Sequence, residues 1–107
     1  MEGLNNVCLV GRLTKDPEMR FTTSGTPVTK ITIAVDKYEK DKADFIQCVA
    51  WKKLAEIIAE HAKKGMLVSV VGRLETGSYE KENVKHFTTE VKLDYFKILE
   101  KKGEQNG

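Results

Sequence analysis

The chain reads as all-β, a small closed barrel of five strands with one helix between the third and the fourth. Three observations carry that reading. Apolar residues alternate with period two in several separate runs, one stretch alone shows helical spacing, and glycine, proline or dense charge punctuates the chain between them. At 107 residues the chain has the size of one domain with one hydrophobic core. That domain is assigned to residues 1–100, with a short flexible end at 101–107.

The elements follow in order. Asn5–Leu13 alternates around Val7, Leu9, Gly11 and Leu13, and Gly11 marks a bend or bulge in this first strand. The turn-prone Lys15-Asp16-Pro17 leads into a short alternating piece with Met19 and Phe21, which Ser24-Gly25-Thr26-Pro27 closes. In Val28–Val35, Ile31, Ile33 and Val35 face one way and Lys30, Thr32 and Ala34 the other, so one side is core and the other small and cationic. Asp36–Asp44 is dense in charge of both signs, interrupted only by Tyr38 and Ala43, and reads as a hairpin loop. Phe45–Trp51 sets Ile46, Cys48 and Ala50 against Phe45, Gln47, Val49 and Trp51, which places two aromatics on one face. From Lys52 to Lys64, Leu54, Ile57 and Ile58 recur at helical spacing, and Lys63-Lys64-Gly65 ends the helix. Met66–Leu74 and His86–Leu99 are the last strands, joined by the polar stretch Glu75–Lys85 that carries Tyr79; Glu100–Gly107 reads as a frayed end. This element order is that of an OB-fold, a Greek-key barrel of five strands.

Composition bounds function more weakly. A net charge of +2, from 18 basic and 16 acidic residues, makes no whole-chain case for a polyanionic partner, so local clustering has to carry one. No basic segment followed by an apolar run opens the chain at Met1–Leu4, and no apolar stretch approaches the roughly 20 residues a membrane helix needs. A soluble cytoplasmic protein without a membrane partner is expected. Cys8 and Cys48 each lie in an apolar run, without a CxxC or a paired histidine motif, and read as buried thiols. His61 and His86 stand isolated and read as surface or hydrogen-bonded side chains, so neither a metal nor a cofactor is expected.

The large aromatics stand where strand meets loop, with basic residues close by. Phe21 follows Arg20, Phe45 and Trp51 precede Lys52 and Lys53, and Tyr79 precedes Lys81. That pattern suits bases stacked on rings while cations hold phosphates. Tyr79, among Ser78, Glu80 and Lys81, is expected to be exposed, whereas Phe21 and Phe87 read as core or subunit contacts. Lys52-Lys53 and Lys63-Lys64 either contact phosphate or merely solvate the helix and favour its dipole.

Several stretches closely resemble the bacterial single-stranded DNA-binding protein family: N-N-V-x-L-V-G-R-L-T-K-D-P-E-M-R-F at residues 5–21, S-G-T-P-V at 24–28, W-K-K-L-A-E at 51–56, K-K-G at 63–65, V-G-R-L at 71–74 and T-T-E-V at 88–91. The resemblance runs from about Leu4 to Leu99. It implies an OB-fold homotetramer that wraps single-stranded DNA without sequence preference in replication, repair or recombination. It also implies stacking roles for Trp51, Phe45 and Tyr79, with Tyr38 near a fourth family aromatic, and backbone contacts for Lys53 and Lys64. Arg20 matches a basic family position, and Lys30 falls where many members have a polar residue. The full candidate set is Trp51, Phe45, Tyr79, Tyr38, Lys53, Lys64, Arg20, Lys30, Thr32 and Arg73, with single-stranded DNA as partner.

Three departures stand out. Glu75-Thr76-Gly77 occupies a place where many members carry R-T-R, the loop of Asp36, Glu39, Asp41 and Asp44 is short and acidic, and the sequence stops at Gly107 without the family's tail and acidic, phenylalanine-ended tip. Recruitment of other proteins through such a tail is therefore not expected of this chain. An accessory OB protein acting mainly through protein contacts is the alternative reading. Catalysis is not expected: Asp16 and Glu18 are the only carboxylate pair flanked by arginines, and they lie in a turn that the resemblance explains.

Overall fold

The structure, a computed structural model, describes residues 3–101. Its elements are β1 (Val7–Leu13), β2 (Glu18–Phe21), β3 (Pro27–Asp36), β4 (Ala43–Trp51), α1 (Lys52–His61), β5 (Leu67–Lys81) and β6 (Val84–Glu100). Five strands close on themselves in the order β1-β5-β6-β4-β3, because β3 pairs back to β1 through Arg12↔Ala34 and Leu13↔Ile33. The piece around Met19 and Phe21 is a strand of its own, β2, which among the described residues pairs only with β3 and lies outside that ring. The helix accordingly follows the third strand of the ring, as an OB-fold requires.

Alternation builds the interior. Ile31 and Ile33 of β3, Cys48 and Ala50 of β4, Val68 and Val70 of β5, and Val91 and Leu93 of β6 are all buried. From α1, Ala55 and Ile58 join them, and the Thr29 hydroxyl donates to the Ala55 carbonyl at 2.8 Å, tying β3 to the helix. Each valine, leucine or isoleucine among them contributes about 1.5–3 kcal/mol on full burial. Gly11 sits where β1 leaves β5 for β3, and a Cβ there would run into the Ala34 carbonyl. Only glycine lets the ring close at that crossing.

Departures from the sequence reading have local causes. The helix ends at His61, three residues early, as the Ala62 amide bonds to the Ile58 carbonyl while its own backbone is already extended. Glu75–Lys85 is no loop: β5 runs to Lys81 and β6 starts at Val84, paired in unbroken register from Arg73↔Lys92 to Lys81↔Val84. Glu82 and Asn83, at φ 54° and 68°, make the two-residue turn with positive φ that suits the twist of paired strands. This arm shows no alternation because every residue from Arg73 to Thr89 is exposed, so no face was selected for apolar residues. Tyr79 is thus a strand residue. Of the residues read as a frayed end, Glu100 closes β6 and 102–107 lie outside the described residues.

The cysteines part company. Cys48 is buried, and burial first, then the nearby Glu90 carboxylate, pushes its thiol up to about 12. Cys8 is exposed, contrary to expectation, because β1 turns Val7, Leu9 and Gly11 inward and Cys8 and Val10 outward. Phe21 and Phe87 are exposed as well and are not core: one ends the peripheral β2, the other stands on the arm, where the Lys85 ammonium lies 5.7 Å from its ring centroid.

Candidate nucleic-acid interface

Strand register collects most of the candidate side chains on one outer face. Glu18 of β2 pairs with Lys30, Lys30 with Val49, Val49 with Lys92, and Lys92 with Arg73, a row that crosses five strands. At about 4.8 Å per strand this row is about 19 Å long. A second row runs Arg20, Val28, Trp51, and further ones set Thr32 beside Gln47 and Ala34 beside Phe45. Along the arm, Glu75↔Glu90, Gly77↔Thr88 and Tyr79↔His86 continue the face beyond Arg73 and Lys92, since residues two apart share a side. Seven candidates therefore lie on one surface: Trp51, Phe45, Tyr79, Arg20, Lys30, Thr32 and Arg73.

The rings are open to solvent to different degrees. Phe45 is 68% exposed, Tyr79 53% and Trp51 39%. Trp51 owes its position to the next residue: Lys52 takes a left-handed conformation at φ 59°, so strand becomes helix without a linker. The chain turns Leu54, Ala55 and Ile58 toward the core and leaves Trp51 outside. Between the start of β4 and the arm opens a cleft of about 770 Å³, lined by Phe45, Gln47, Tyr79 and Thr88 and floored by apolar side chains including Ile46, Leu74 and Val91.

Carboxylates attend the cations. Lys30 Nζ lies 3.6 Å from Glu90, an ion pair reaching from β3 to β6 across β4, and Arg73 lies 3.2 Å from Glu75. Between the two lysines of this row, Val49 is buried although its register neighbours Lys30 and Lys92 are not. The Arg73–Glu75 pair is exposed on both sides, and exposed pairs contribute about 0–1 kcal/mol; Glu90 in the other pair is half-buried.

Three candidates lie apart from this register. Tyr38 is fully exposed on the β3–β4 loop, where Lys37 pairs with Asp44 at 3.4 Å. Lys53 stands on α1 and Lys64 beyond its end, both exposed; the Lys64 amide donates to Asp16 at 2.8 Å. That bond gives Asp16 a structural task, and Glu18 lies 3.9 Å from Lys15.

Residues 4–99 match the model of the Single-strand binding protein family. The chain belongs to that family. It is 46% identical over 97% of its length to a single-stranded DNA-binding protein of Enterococcus faecalis, covering 60% of that relative. A protein of the same description from Halalkalibacterium halodurans is 45% identical over 96% of the chain, with 65% of the relative covered. One from Clostridium perfringens is 45% identical over 91%, with 67% covered. The chain thus spans about 60–67% of the length of these relatives.

Family membership agrees with the OB architecture, and the face holds residues that reasoning from sequence passed over. Glu90 and Lys92 alternate with the buried Val91 and Leu93, a signal legible in T-T-E-V-K-L. His86 is not isolated but stacks on Tyr79. No helix among the described residues is long and apolar enough to cross a membrane.

Proposed function

We propose that this chain binds single-stranded DNA without sequence preference and without catalysis. Bases stack on Trp51, Phe45 and Tyr79, with Tyr38 as an outlying fourth ring, while Arg20, Lys30, Arg73, Lys53 and Lys64 hold phosphates and Thr32 lends a small polar contact. The carrying observation is the continuous register that sets exposed rings and cations on one face. Because every base has a π-face, sequence tolerance follows from stacking. Membership of the single-strand binding family and the similarity to single-stranded DNA-binding proteins support the same reading. Protecting single strands in replication, repair or recombination, at the cytoplasmic nucleoid, is the role this implies.

A homotetramer is part of the proposal. Among the described residues, one edge of β1 pairs with β5 from Val7 to Gly11, and the other meets β3 only at Arg12 and Leu13. That leaves a strand edge for a second copy. Titrating poly-dT against tryptophan fluorescence tests the function: Trp51 is the one tryptophan, and its emission falls on binding. Binding detected by another method without quenching removes Trp51 from the interface. Sedimentation tests assembly, and a concentration-independent monomer overturns the tetramer.

A further inference from the structure

We infer that His86 is a positioning residue of the single-strand site, holding the Tyr79 ring ready for a base. The inference rests on the reading of the outer face as the DNA path. The two rings face each other across the β5–β6 ladder as a register pair, with centroids 5.0 Å apart and planes 15° from parallel. That is an offset parallel stack, the arrangement favoured by ring quadrupoles. Both residues are exposed on an arm that has no interior, so the stack fills no core. Tyr79 lines the cleft opposite Phe45, whereas His86 is not among the side chains that line it. The imidazole therefore works through the phenol. A lone tyrosine on a solvated strand turns freely between rotamers and loses that freedom when a base settles on it. A tyrosine already stacked on one side has lost much of it before DNA arrives, and pre-organisation of this kind tightens binding without a new contact.

The experiment is a dT-oligomer titration on the intact protein, following Trp51 fluorescence, for wild type, His86→Ala, His86→Phe, Tyr79→Leu and the double variant Tyr79→Leu/His86→Ala. An aromatic pair of this type corresponds to about a 2- to 10-fold change in affinity. His86→Ala is expected to weaken binding by that factor with an unchanged salt slope. His86→Phe restores affinity, since it keeps a ring and drops the nitrogens. In the Tyr79→Leu background, His86→Ala changes nothing further. Failure of His86→Phe to restore affinity, or an equal loss from His86→Ala with and without Tyr79, overturns the assignment and makes the imidazole a direct DNA contact. Unaltered affinity in His86→Ala while wild type still binds also overturns it and leaves the single-strand reading standing. Absence of dT binding by wild type overturns both together. Because His86 is exposed, all variants keep the wild-type urea midpoint.

Discussion

The β5–β6 arm is built from two strands of the closed ring yet obeys different rules. Below Gly72, β5 alternates buried and half-buried residues and gives Val68 and Val70 to the common core; from Arg73 to Thr89 nothing is buried and the backbone ladder gives the arm its shape. Ring residues are therefore chosen for volume and arm residues for what they present to solvent. Stability and binding are separable on this molecule to the extent that this division holds, since segments with few buried contacts open without unfolding the whole.

The sharpest test sets one residue from each region side by side. Ile33→Ala, at a fully buried position, is expected to lower the urea-unfolding free energy by about 2–5 kcal/mol. Phe87→Ala, on the arm at 77% exposure, is expected to change it by no more than about 0.5 kcal/mol. Comparable losses would merge the two regions into one cooperative unit. Next in size, Trp51→Ala is expected to cost about 1–3 kcal/mol of dT binding while leaving a cooperative unfolding transition. An unfolded variant would hand Trp51 to the ring.

Alkaline titration probes the ring from within. The Cys48 thiol rises from an ordinary 9.0 to about 12, through burial first and Glu90 second. Between those values the unfolded chain has lost the proton and the folded chain keeps it, so stability is complete below pH 9 and falls as pH rises toward 12. The slope for one proton is about 1.4 kcal/mol per pH unit. Cys48→Ala is expected to flatten this part of the pH profile. The smallest effect belongs to the arm. Glu75→Arg replaces a carboxylate that holds Arg73, so binding at low salt should tighten and the log-log salt slope steepen by about 0.7 for one added phosphate contact. An unchanged slope would remove the arm's base from the DNA path.

What the sequence revealed follows the same division. In the ring, burial imposes alternation, and Ile31-Thr32-Ile33 or Ile46-Gln47-Cys48 declare both strand and face. On the arm neither face is buried, so Glu75–Lys85 carries no period and passes for a loop although its register is continuous to the turn. The same gap hid the Tyr79–His86 pair, because cross-strand neighbours can be named only once the turn is placed at Glu82–Asn83. Cys8 misled in the opposite way: its neighbours are apolar, but a strand in a ring has an outside, and that is where residue 8 falls. Trp51 and Phe45 were legible as facing away from the core, while the left-handed Lys52 that sets Trp51's place leaves no trace in a lysine codon.

The turn at Glu82 and Asn83 governs how this molecule can change length. Since the arm touches no interior, residues can be added to it or removed without disturbing the ring, but only in matched increments. One extra residue on a single strand inverts every side chain on the far side of it, carrying Tyr79 or His86 to the wrong surface. Growth by equal numbers on each strand, outward of the Tyr79–His86 rung, keeps both rings where they are. The arm can thus be lengthened like a ladder, by whole rungs at its free end.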